Sequence, residues 1–228
     1  CNDDDIDLGI TALHLGALWQ KGKSLEAAQN HLKLLAAQTL AQYDATQNPA
    51  HTDEQRALTK IETLKHVLHG KHDYRGDVEQ YDHLDNASLL RMLDRRKGLP
   101  ITLSILYMHV GRQLGWRVEG LNVPGHFICR LNDGRARIMF DPFNRCKILQ
   151  ASDVRFIIKN ALGADAELSA TYFEPCTNRD ILIRLQNNIK LRQIDAEDYA
   201  GALQTVQMMQ QIAPNEYRLS LDAGVLYA

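Results

Sequence analysis

Cysteine is scarce, proline scarcely commoner, and an excess of charge of one sign is missing. The chain has 228 residues with 4 cysteines, 6 prolines and a net charge of −2. Cys1, Cys129, Cys146 and Cys176 show neither metal-ligand spacing nor the density of a disulfide scaffold. That pattern fits a reducing, cytoplasmic setting. Balanced charge leaves no electrostatic footprint for nucleic acid. No apolar run approaches membrane-spanning length and no signal peptide is visible. Neither a nucleic-acid nor a membrane partner is therefore expected, and nothing calls for a metal or cofactor. The chain does not begin with Met. Cys1 could be the lipidated residue of a bacterial lipoprotein, but a trimmed start is the simpler reading.

Hydrophobic residues make up 45 % of the chain, enough for a sizeable core in one large domain or a domain plus an appendage. Helical spacing of apolar residues marks 6–20, 24–43 with Ser24 as N-cap, and a third helix from Leu58 to Gly70. A structured loop, 71–83, precedes a short helix over 86–97. Pro100 opens a further helix at a position where a missing N–H costs nothing, and Gly115 stops it. Strands are expected at 117–123, 126–131 and 135–141, then a helix over 152–163 and a linker at 174–178. Helices over 179–193 and 196–213 and a third from Glu216 to the end complete the chain. The segment from Ala202 through Pro214 to Tyr227 resembles roughly one and a half tetratricopeptide repeats.

The sharpest local signal is Asp133-Gly134 between apolar runs, a hairpin signature. A two-residue turn there sets His126 directly opposite Asp141, with Cβ atoms about 5 Å apart. A carboxylate so placed can hold one imidazole nitrogen and fix its tautomer, the base and orienter of a catalytic triad. The same register gives one apolar face, with Phe127, Cys129 and Leu131 beside Phe140, Ile138 and Ala136. The other face carries His126, Ile128 and Arg130, and sets Arg130 against Arg137, a mildly unfavourable pair. A satisfied histidine beside a turn is the bland alternative.

Arg95-Arg96-Lys97-Gly98-Leu99-Pro100-Ile101-Thr102-Leu103, Leu114-Gly115, Pro124-Gly125-His126-Phe127 and Asp141-Pro142-Phe143, taken together, resemble the SirB-type branch of the transglutaminase-like superfamily. The resemblance implies an α+β fold: N-terminal helices, a papain/transglutaminase-like core with an antiparallel sheet over 1–175, and a tetratricopeptide-like tail over 176–228. It implies that His126 and Asp141 match the superfamily's catalytic His and Asp. The nucleophile does not carry over, because Pro100 stands where catalytic relatives have cysteine. A non-catalytic module that binds a protein or peptide is one expectation. The branch name also implies a regulator acting indirectly on gene expression.

An enzyme with a relocated nucleophile is the other expectation. Ser104 lies one turn after Pro100 on the same helical face, though a buried Ser bonding the carbonyl one turn back is the plainer reading. Cys146 lies in the loop after Asp141, where an adjacent imidazolium would lower its pKa; an ordinary loop cysteine is the alternative. Cys129, on the opposite strand face from His126, reads as core. His66, His69 and His72 read as helix C-terminal residues favouring the macrodipole rather than metal ligands. Arg91, Arg95, Arg96 and Lys97 form a basic cluster that reads as a solvated face, with Arg96 free to pair with Asp94 or a linker carboxylate.

Overall fold

The computed structural model describes residues 2–18 and 24–227; Cys1, the last two positions of the expected 6–20 helix, and Ala228 lie outside them. Helices α1 (Leu8–Leu18), α2 (Leu25–Thr46) and α3 (Asp53–Leu64) come first. Ser24 caps α2, its hydroxyl accepting from Ala27 N at 3.2 Å. Thr52 and Gln55 form a capping box on α3. A π-helical segment, Lys65–Lys71, extends α3, and β1 (Arg75–Gly76) follows.

The short helix expected over 86–97 is divided. Leu84–Ala87 is a 3-10 turn, α4 spans Leu89–Arg95, and β2 (Lys97–Gly98) pairs with β1 in parallel. Ser88 caps α4 and Arg96, left-handed at φ 61°, ends it. Helix α5 (Pro100–Gln113) begins at its proline as expected, and every residue from Pro100 to Gly111 is buried. It is the central helix. Gly111 permits its close approach to the sheet, since a Cβ there would lie 2.6 Å from Val118.

Strands β3 (Arg117–Val123), β4 (His126–Asp133), β5 (Ala136–Asp141) and β6 (Lys147–Leu149) form an antiparallel meander in that order. Phe127, Cys129, Leu131 and Phe140 belong to the main core with α5 and α3. Burying each phenyl ring there stabilises the fold by about 2–3 kcal/mol. The opposite face is not left to solvent. Leu121, Val123, Ile128 and Leu149 pack against Val154 and Ile158 of α6 (Ala151–Leu162). The sheet is thus a middle layer, and the fold is α+β.

Helix α7 (Asn178–Asp195) contributes Ile181, Leu182, Leu185 and Ile189 to the main core. Helices α8 (Tyr199–Ile212) and α9 (Tyr217–Tyr227) share a smaller core of Val206, Met209, Leu219 and Ala223. No helix among the described residues is long and apolar enough to cross a membrane.

The hairpin register differs from the expectation by two residues. Asp133 pairs with Ala136 and Cys129 with Phe140, so the turn is Gly134-Arg135. Gly134 takes the first turn position with φ 55°, the place a Gly-X hairpin gives to glycine. Contacts from α3 hold this choice. Asp53 accepts from Arg135 N at 2.8 Å, while Arg56 and Lys60 hold Asp133 at 3.3 and 3.1 Å. A slip of two preserves every face. Arg130 now opposes Met139 rather than Arg137, and its Nε donates to Glu119 at 3.0 Å.

Candidate functional site

Under the observed register His126 and Asp141 are diagonal rather than direct partners on one sheet face, a distance that long side chains still cover. His126 Nε2 lies 2.7 Å from Asp141 Oδ2. The imidazole is 13 % exposed and the carboxylate 1 %. Pro142 sets the turn that follows. Asp141 Oδ1 accepts from Phe143 N at 2.9 Å and Asn144 N at 3.3 Å, and Asn144 Nδ2 donates to Oδ2 at 2.6 Å. Asp141 is an acceptor in every one of these bonds, so His126 Nε2 is the donor. In the neutral ring this leaves Nδ1 as the lone-pair nitrogen.

The Asp141-Pro142-Phe143-Asn144 sequence carries the Asx-turn signal that could have exposed Asn144 as a partner. Nothing in the sequence placed the helix expected over 152–163, α6, beside the pair, where it completes the surroundings. A cavity of about 330 Å³ is bordered by Gly125, His126, Asn144, Ile157, Asn160 and Ala161. Gly125, at φ 77°, is needed where α6 docks, because a Cβ there would lie 2.6 Å from the Ala161 side chain. Asn144 also lines a second cavity of about 340 Å³, with Arg75, Lys97, Phe143 and Arg145. Phe143 lines the second cavity and neighbours His126 of the first. Its ring is edge-on to His126 at 6.0 Å and to Tyr81 at 5.9 Å. Its backbone accepts from Gly76 N at 3.3 Å.

The nucleophile candidates from the sequence are buried. Cys146 is fully buried beside the Tyr107 hydroxyl, and burial pushes its thiol up, opposite to the lowering expected from a neighbouring imidazolium. Cys129 is buried in the core, and burial pushes its thiol up to about 12. Ser104 is buried as well, and its hydroxyl makes no hydrogen bond among the described residues, so the expected bond one turn back is absent. Pro100 is the first residue of α5, and Thr102 donates to Asn86 O at 2.7 Å.

The three spaced histidines diverge. His66 is exposed, His69 Nδ1 lies 3.2 Å from Tyr74 O, and His72 Nε2 lies 2.7 Å from Gln38 Oε1. Among the described residues no group of three His, Cys, Asp or Glu side chains is placed to hold a metal. The basic cluster is engaged by neighbours: Arg95 by Asn86 and Asp77, Lys97 by Glu79, and Arg91 by Asp85. Arg96 bonds to His31 and Tyr74.

A central helix laid on an antiparallel sheet agrees with the family comparison. The chain belongs to the transglutaminase-like superfamily, whose model matches residues 26–187. It is similar to the UPF0162 protein of Xylella fastidiosa, 28 % identical over 171 residues, 74 % of this chain and 61 % of that protein. The UPF0162 protein of Vibrio cholerae is 26 % identical over 178 residues, 78 % of this chain and 65 % of that protein. The chain therefore spans less than two thirds of the length of these curated relatives. F-box only protein 21 of Mus musculus is 25 % identical over 179 residues, 73 % of this chain but 27 % of that protein. No solved structure matches the chain.

Proposed function

We propose that this protein is a non-catalytic member of the SirB-type branch, a module that holds a protein or peptide partner and acts as a regulator. The observation that supports the reading is that no serine, threonine or cysteine among the described residues borders the cavity at the His–Asp pair. Pro100 opens α5, while Cys129, Cys146 and Ser104 are all fully buried. On this reading the His126 cavity recognises a partner group, and the tetratricopeptide-like tail from residue 176 supplies further surface. The likeness to F-box only protein 21, whose match covers 27 % of its length, is compatible with a module attached to different neighbours. A cytoplasmic location and the division at residue 175 belong to the same proposal.

The competing reading is a hydrolase or acyltransferase in which Cys146 or Ser104 attacks and His126 is general base. The intact 2.7 Å bond to Asp141 favours it. Alkylation with iodoacetamide across pH 5 to 9, mapped by peptide mass spectrometry, separates the two. The non-catalytic reading expects slow labelling of Cys129 and Cys146, unchanged in His126→Ala, and no labelling of Ser104 by a fluorophosphonate. Rapid labelling of Cys146 near pH 6 that the variant abolishes would replace it with the enzyme reading.

A further inference from the structure

A second imidazole, on α2, sits in a cluster that the His126 site does not use. His31 Nε2 is 2.8 Å from the Tyr74 hydroxyl and 3.0 Å from Arg96 Nη1. Arg96 Nη1 also bonds to the Tyr74 hydroxyl, and the guanidinium lies 4.6 Å over the Tyr74 ring. The hydroxyl has one further neighbour, the Leu93 carbonyl at 3.4 Å. A guanidinium only donates. His31 Nε2 must therefore be an acceptor, which makes the ring neutral with its proton on Nδ1. A proton on Nε2 would face the Arg96 N–H head-on.

Among the described residues, the charged and titratable groups around His31 come from three segments. Arg96 and Asp94 come from the end of α4, His72 from the π-helical segment, and Tyr74 from just before β1. Lys71 in turn faces His72. Burial first, then Arg96 and His72, hold His31 below its ordinary pKa, and Asp94 opposes them.

The cluster also anchors backbone. Arg96 is held in a left-handed conformation at φ 61°, which non-glycine residues seldom adopt. Its carbonyl accepts from Arg75 N at 3.0 Å, and Gly98 O accepts from Asp77 N at 3.2 Å, which ties β1 to β2. Gly76 of β1 packs so closely on Phe143 that a Cβ there would lie 2.7 Å from the ring. Phe143 is the ring set edge-on to His126.

We propose that His31 is an acid-sensitive latch: its protonation drives the Arg96 guanidinium off Tyr74 and loosens the β1–β2 ribbon that backs Phe143. The latch operates whatever the His126 cavity binds, and its value as regulation rests on that cavity being the functional site. The effect is local opening, a free-energy change felt most by the few backbone bonds the cluster supports.

The test combines nitrogen-15 NMR of the imidazoles with amide hydrogen exchange across pH 5 to 8, corrected for intrinsic rates. His31 is expected as the Nδ1–H tautomer at neutral pH, with a midpoint below 6.5. Protection of the Arg75, Gly76 and Asp77 amides is expected to fall about tenfold on acidification, beyond any change in the α5 amides. In His31→Gln, whose amide oxygen accepts the same two donors, that fall disappears; in His72→Gln it persists. A midpoint at or above 6.5, an unchanged ribbon, an equal fall in His31→Gln, or loss of the fall in His72→Gln overturns the latch. If His31→Gln does not fold, the wild-type tautomer and midpoint decide. None of these readouts depends on thiol labelling, so the latch and the non-catalytic reading fail separately.

Discussion

His126 gives its Nε2 proton to Asp141 across 2.7 Å, whereas His31 uses its Nε2 lone pair to receive Arg96 and Tyr74. The two rings are alike in chemistry and opposite in use. A buried carboxylate that only accepts forces one tautomer; a guanidinium that only donates forces the other. At His126 this turns the free lone pair away from Asp141. At His31 it makes the cluster depend on the ring staying neutral. An imidazole's role is therefore read from the donors and acceptors around it, and those arrive from segments distant in sequence.

Removing the acceptor is the severest way to break the comparison. Asp141→Ala strands the donors from His126, Phe143 and Asn144 at a buried point. A loss of about 3 kcal/mol is expected in urea unfolding, since each buried unpaired group costs about 1–3 kcal/mol. Tyr74→Phe removes the hydroxyl between Arg96 and His31, and should cost about 1–2 kcal/mol by the same assay. Asn144→Ala takes one donor from Asp141 and leaves His126 in place; about 1 kcal/mol is expected. NMR should then still find the proton of His126 on Nε2. A shift of that proton to Nδ1 would show that Asn144, not Asp141, orients the ring.

Acid sharpens the contrast most gently. His31 and His72 both lie below the ordinary 6.5, chiefly through burial. The unfolded chain then binds more protons between that value and the folded one, so stability is fully present above pH 6.5 and lost as pH falls through the folded values. The urea midpoint should drop on acidification from pH 7.5 to 5.5, and drop less in a His31→Gln, His72→Gln double variant. An equal drop in both proteins would place the acid sensitivity elsewhere.

Much of the local structure was legible beforehand. Strand β3 has the bounds expected from the sequence, Ser24 caps α2, and Pro100 opens α5. These features rest on neighbouring residues alone. The proximity of His126 and Asp141 was also legible, though for a register two residues away. Period-two alternation cannot distinguish such a slip, because it leaves the faces intact. The deciding contacts, from Asp53, Arg56 and Lys60 on α3, lie far from the turn in sequence. The ribbon of β1 and β2 escaped notice because two-residue strands have no periodicity, and β6 because three residues barely have one.

Sequence alone determined where the chain alternates, where helices start and stop, and which face of each strand is apolar. These are properties of side-chain spacing and backbone preference. Only tertiary structure decided that Cys146 is a buried thiol, that Phe143 stands edge-on to His126, and that His31 meets Arg96 and Tyr74. Burial and hydrogen-bond partnership depend on segments that fold together from distant parts of the chain, so no local pattern encodes them.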